Sequence, residues 1–134
     1  MRRVERWDTA LFKWAADRMG QPFRWGDTDC AMLCSEAHDA ITGSALAQDY
    51  RGKWASAAAA RLFMREHDTD LLRGLEAAGG HEIARNFQQR GDIILVPQDG
   101  WMCGHVCLGA QSLSARVDDG AQLVPTAALL ALPG

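Results

Sequence analysis

The sequence predicts an α+β fold in which N-terminal helices pack on a C-terminal antiparallel sheet. Three observations predict it. Apolar residues recur at three- and four-residue steps through the first half of the chain, the pattern of a helix with one buried face. From Asp92 onward the apolar residues come in short runs, separated by the turn signals Asp99-Gly100 and Asp118-Asp119-Gly120. Helices first and a meander of strands second is the α+β order. The chain of 134 residues shows no internal repeat, low-complexity segment or linker, so 1–134 reads as one domain. A domain of that size buries roughly two thirds of its unfolded surface and can hold a core without staples.

The first helix is predicted over Val4 to Met19, with Val4, Trp7, Leu11, Trp14, Ala15 and Arg18 on its inner stripe and Gly20 as its stop. Gln21-Pro22-Phe23 breaks it, because the residue before proline is pushed out of the helical region. A second helix runs from about Asp29 to Thr42 and closes at Gly43. Gly43 to Arg51 reads as a connection; Trp54 to Glu66 and Leu71 to Ala78 read as two further helices, the last stopped by Gly79-Gly80. The strands are expected at Asp92 to Val96, Trp101 to Leu108, Leu113 to Val117 and Ala121 to Val124.

Composition excludes several partners. The net charge is −3 with both signs scattered, which offers neither a basic stripe for nucleic acid nor a polybasic patch for anionic lipid. No segment has the length and apolarity of a membrane span. Met1 to Asp8 carries charges with no apolar run behind them, so no secretory signal is expected and the chain is predicted to be cytoplasmic when made. The four cysteines are accordingly expected to be free thiols.

The stretch that invites chemistry is Phe23-Arg24-Trp25-Gly26-Asp27-Thr28-Asp29-Cys30, which leads straight into the second helix. Asp27, Thr28 and Asp29 are capping candidates and Gly26 permits a tight approach. Cys30 then falls in the first helical turn, where free backbone N–H groups and the helix dipole favour thiolate. The plainer reading of Cys30 is a core thiol, and a partner base decides between the two. His105 is the candidate. It lies in a predicted strand where alternation puts Cys103, His105 and Cys107 on one face and Met102, Val106 and Leu108 on the other. If the first face meets the start of the Cys30 helix, imidazole and thiol can form a nucleophile–base couple for acyl transfer.

Cys30, Cys34, Cys103 and Cys107, with His105, also resemble a zinc set on paper. Cys30 and Cys34 would be about 6 Å apart on a helix and could share an ion. Cys103 and Cys107 would be roughly 13 Å apart on a strand and could not. No metal is therefore assigned, and Cys34 and Cys107 read as core thiols. His38, His67 and His81 read as helix-face, helix-end and loop residues without a role.

Three motifs in register add a resemblance. Trp25-Gly26-Asp27-Thr28-Asp29-Cys30 before an apolar helix, Arg90-Gly91-Asp92-Ile93-Ile94-Leu95, and Gly104-His105-Val106 resemble the nucleophile motif, the R-G-D-hydrophobic strand and the histidine strand of NlpC-type papain-like cysteine peptidases. Tyr50-Arg51-Gly52, the helical pair after it and the tail from Leu123 to Leu129 resemble more closely a small branch of that superfamily found in phage and prophage genomes. The resemblance implies a papain-like fold, with Cys30 as nucleophile, His105 as general base and Asp29 as the motif acid. It puts Ser114 in the third position, where the superfamily carries His, Asn or Gln; Gln111 is the substitute if the register shifts. The oxyanion donors would be the Cys30 backbone N–H and the Trp25 ring N–H, with Gly26 allowing the approach; Trp25 reads equally well as a packed indole.

The implied reaction is hydrolysis of an amide in a bacterial cell-wall stem peptide, typically one involving D-Glu and diaminopimelate, through an acyl-enzyme on Cys30 and without a cofactor. The implied partners are peptidoglycan stem peptide or phage tail proteins, and the implied setting is the virion tail. The alternative is a tail assembly or structural protein that keeps the fold with weak or no activity, and Ser114 favours it.

Overall fold

The computed structural model describes residues 3–98 and 101–131, and these form an α+β structure. Helix α1 (Trp7–Arg18) buries Leu11 and Ala15 and lays Trp7 and Trp14 against the core. It starts three residues later than its periodicity predicts. Arg6 takes a left-handed conformation, and the Val4 N–H is drawn off to the Ile41 carbonyl at 2.8 Å, satisfying the end of the next helix.

Helix α2 (Cys30–Thr42) spans the expected segment. Asp29 caps its start, and Gly43 closes it in the left-handed region at φ 74°. Its buried face, from Met32, Leu33 and Cys34 to Ala37 and Ile41, forms the centre of the molecule.

The connection after Gly43 contains a helix that local sequence does not announce, α3 (Leu46–Tyr50). No residue at its own start caps it. The Asp39 carboxylate of α2 instead accepts the Leu46 and Ala47 N–H groups, both at 2.8 Å, together with the Ser44 hydroxyl. Helices α4 (Ala57–Glu66) and α5 (Leu71–Ala77) carry ordinary caps in Ser56 and Asp70. α4 begins after Trp54, which is buried in the preceding connection against Met32, Ala47 and Ala60.

A short 3-10 turn at Arg85–Phe87 leads to four strands, β1 (Ile93–Gln98), β2 (Trp101–Cys107), β3 (Gln111–Arg116) and β4 (Gly120–Pro125), paired antiparallel in sequence order. The expected Asp99-Gly100 turn lies outside the described residues. The other turn is found at Asp118-Asp119-Gly120; Gly120 sits at φ 72° with the Gln21 carbonyl where a Cβ would be, 2.3 Å away. A final helix, α6 (Thr126–Leu130), folds back so that Leu129 covers Ile94, Val96 and Cys107.

The alternation predicted for β2 is present, with Cys103, His105 and Cys107 on one face and Gly104 and Val106 on the other. Ile94 pairs with His105 and Val96 with Cys103, so these residues share the face that α6 covers. Gly104 and Val106 face α2. A Cβ on Gly104 would stand 2.5 Å from Cys34 Sγ, and Val106 packs with Leu11, Cys34 and Ile41. Helix α2 approaches the strand closely because position 104 has no side chain.

Candidate functional site

The loop before α2 is fixed by one carboxylate. Asp29 is 3% exposed and accepts three hydrogen bonds: Met32 N–H on Oδ1, and Gly26 N–H and the Trp54 indole N–H on Oδ2, each at 2.8 Å. The residue that resemblance makes a motif acid is thus the helix cap and the latch between the cysteine loop and the Trp54 connection. Hydrogen bonds to a buried charged acceptor contribute about 1.5–3 kcal/mol each.

Gly26 serves the same junction. It lies at φ 78° with the Trp54 carbonyl 2.4 Å from where its Cβ would be, and its own carbonyl accepts the Gly52 N–H at 2.9 Å. Its close approach is to this chain's own connection. Trp25 is half-buried, edge-on to Phe23 with ring centroids 4.8 Å apart, and joins the cluster around Met32 and Trp54.

A charged network that the sequence reading does not identify holds the outer side of this loop. Arg18 grips Glu36 through Nε at 2.8 Å and Nη2 at 2.6 Å, and also donates to Asp27, Thr28 and Gln21. Trp14 Nε1 donates to Glu36 at 2.9 Å, and Arg51 bridges Asp27 and Glu36. Burial alone would raise the Glu36 carboxyl, but the hydrogen bonds from Arg18, Trp14 and Arg51 outweigh it and hold the group below its ordinary value. Arg18, Glu36 and Arg51 lie far apart in sequence, so no local pattern marks them.

Cys30 is the first residue of α2 and is half-buried. The Cys103 thiol and the Gly104 N–H are neighbours of its Sγ. The reason lies in the sheet. β2 and β3 pair at Val106–Leu113 and Cys107–Ser112 and then part, while β3 stays paired with β4 as far as Arg116. Ser114 Oγ occupies the opening, donating to the Gly104 carbonyl at 2.7 Å and lying 3.7 Å from Cys103 Sγ. The structure therefore assembles Cys30, Cys103 and Ser114 around the backbone of Gly104.

His105 is not in that assembly. It is 1% exposed on the α6-covered face, and neither Nδ1 nor Nε2 has a hydrogen-bond partner, so the expected hydrogen bond to Cys30 is not made. Burial, with the Arg116 cation adding to it, lowers its pKa below the ordinary 6.5; the Cys103 and Ile94 carbonyls oppose this without reaching hydrogen-bond geometry. The residue beside Cys30 lies two positions earlier on the same strand face. Counting back by two from His105 is the signal that finds Cys103. Gln111 is exposed opposite Pro125.

The electrostatics of the thiols follow from these neighbours. The Cys103 contact and then burial push the Cys30 thiol well above its ordinary value, against the smaller opposing effect of the Gly104 N–H. That reverses the thiolate expected from the helix start alone. Cys103 is lowered to about 7, chiefly by its interaction with Cys30 and then, against burial, by Ser114 and the Arg116 charge. The two thiols titrate as a pair. Cys34 is fully buried and pushed up by desolvation. Among the described residues no group of three or more His, Cys, Asp or Glu is arranged to hold a metal ion, and no helix is long and apolar enough to cross a membrane.

Fold and site together define an α+β protein with a helix-start cysteine facing a second thiol and a serine at the splayed edge of an antiparallel sheet. The chain belongs to the family described as a domain of unknown function (DUF6950), whose model matches residues 2–132. No curated protein and no solved structure matches it.

Proposed function

We propose that this chain is a papain-like domain of the NlpC type that has kept the architecture and lost the peptidase chemistry, and that it serves as an assembly or structural protein of a phage tail. The observation that carries the loss of chemistry is the identity of the group beside Cys30, which is the Cys103 thiol where a Cys-His couple needs an imidazole. A working couple needs a base that takes the thiol proton and returns it to the leaving amine. His105, buried with both ring nitrogens unpartnered, does neither in this arrangement. Ser114 reinforces the reading, because its hydroxyl is committed to the Gly104 carbonyl and orients no ring. The papain-like assignment rests on the order of elements, with a capped helix-start cysteine packed on an antiparallel meander. The tail setting rests on the sequence resemblance.

The second reading, hydrolysis of a cell-wall stem peptide through an acyl-enzyme on Cys30, is favoured by the placement of Cys30 at the start of α2. It requires an imidazole to reach that thiol. Incubation of the purified wild type with peptidoglycan sacculi and with a D-Glu–diaminopimelate stem peptide should release no new amine. Deleting the chain from a phage that carries it should give defective tails. Turnover by the wild type that is lost in Cys30→Ala, or deletion particles with complete tails that fail only at wall passage, would overturn the proposal in favour of the hydrolase.

A further inference from the structure

We infer that the free edge of β1 is a docking site for an extended segment of another protein, apolar at alternate positions and carrying lysine or arginine, which adds to the sheet as a further strand. β1 stands at the end of the sheet and pairs with β2 alone. The Asp92 carbonyl accepts the Cys107 N–H at 2.9 Å, so strand alternation turns Ile94 and Val96 towards β2 and sends the N–H and C=O of Ile93 and Leu95 outward. Pro97 falls on the outward set, where a missing N–H costs the ladder nothing. No backbone group among the described residues bonds the outward N–H and C=O of Ile93 and Leu95. The opposite edge of the sheet is covered at Ala121, which accepts from the Gly20 N–H at 2.8 Å and donates to the Gln21 carbonyl at 2.9 Å. A row of unpaired backbone groups is a template for a partner strand.

A cavity of about 520 Å³ lies along this edge, within the roughly 300–1,000 Å³ of ligand sites. It takes in Ile41 and Leu75 from the helix side of the sheet and Ile94 and Leu130 from the α6 side, and only the rim of β1 meets both. Its far wall is the stretch 81–84, exposed and outside any helix or strand, whose N–H groups also find no backbone partner among the described residues. Exposed Ile83 and Met102 line it and offer apolar seats for alternate side chains. Charge selects the occupant. Arg3 on the cavity wall is paired with Asp92, and Arg85 donates to the Leu130 carbonyl, whereas the carboxylates of Glu76 and Glu82 have no ion pair among the described residues. An incoming lysine or arginine complements them. The site borders the C-terminal end of α2, with Cys30 at the other end, so peptide capture is independent of any chemistry at Cys30.

The readout is binding, so the proposal fails separately from the proposed function, whose tests are turnover and tail assembly. The probe is a fluorescein-labelled peptide, Lys-Val-Thr-Val-Thr-Val-Lys, titrated with the full chain and read by anisotropy, with amide hydrogen exchange mapping where it sits. It should bind saturably and slow exchange at Ile93 and Leu95 while leaving β4 unchanged. The fully N-methylated counterpart, which cannot donate to a sheet edge, should not bind. Replacing both lysines by glutamate, or combining Glu76→Gln with Glu82→Gln in the protein, should weaken binding about fivefold at low salt, the effect of two exposed ion pairs. No saturable binding, equal binding by the N-methylated peptide, or affinity indifferent to both charge changes would each overturn it. So would protection at β4 in place of β1, or a concentration-dependent dimer that protects β1 without peptide, which would make the occupant a second copy of this chain.

Discussion

Trp54 donates its indole N–H to Asp29 Oδ2 at 2.8 Å, tying the residue before the helix-start cysteine to a connection on the far side of α2. The same oxygen holds Gly26 N–H and the other oxygen caps the helix. Asp29→Ala should therefore lose a cap and leave two buried donors unpaired, a destabilisation of about 3 kcal/mol by urea unfolding. Asp29→Asn keeps the cap oxygen but turns an amide N–H2 towards donors, and should cost about 2 kcal/mol. A loss below about 0.5 kcal/mol for either would show that the carboxylate is not the latch.

The orphaned ring of His105 makes stability depend on pH in a known direction. Its folded pKa lies below the ordinary 6.5, so the unfolded chain binds more protons through that range and stability rises with pH. The full contribution is present above about 6.5 and is lost as pH falls towards the folded value. His105→Leu should flatten that part of the profile. It should also stabilise the protein at pH 7 by about 1 kcal/mol, since burying an unpaired polar group costs about 1–3 kcal/mol. An unchanged slope in the variant would assign the dependence elsewhere.

Glu36 gives a second, more acidic transition. Its folded pKa is depressed, so its stabilisation is complete above the ordinary 4.5 and disappears as pH falls through the folded value. Removing it at pH 7 leaves the largely buried Arg18 with the more exposed Asp27 as its remaining ion-pair partner. Glu36→Ala should cost about 2–3 kcal/mol, measured by denaturant titration.

Gly104 sets the distance between helix and strand. Gly104→Ala would press on Cys34 Sγ and Leu71 Cδ2 and should destabilise by about 2 kcal/mol. Cys34→Ala vacates the nearer contact, so the double variant should be more stable than additivity predicts by about 1 kcal/mol. Strict additivity would mean that α2 shifts away as a body.

Reactivity at Cys30 tests which group stands beside it. With a raised pKa, Cys30 should react with iodoacetamide at pH 7 more slowly than a free cysteine in the unfolded chain. Cys103→His puts an imidazole at the contact and should speed that labelling by about tenfold, while His105→Ala should change it by less than about twofold. Slowing by His105→Ala would restore His105 as the partner.

The sequence by itself determined α1, α2, α4, α5 and the four strands, and the ends of the key helix. The 3.6-residue stripe of α1, the capped and glycine-closed α2, and the alternating runs of β1 to β4 are set by interactions within a few residues, so they are legible in order. Asp29 as a cap and Cys30 as the first helical residue were readable for the same reason. Only the tertiary structure decided what stands opposite them. Strand alternation puts Cys103 and His105 on one face equally well, and it was the packing of α2 over Gly104, with β3 peeling away at Ser114, that chose Cys103 for the thiol and left His105 under α6. The cap of α3 by Asp39 and the grip of Arg18 on Glu36 were hidden likewise. Each joins residues from different elements, and such pairs are fixed by how the layers stack, which no local period encodes.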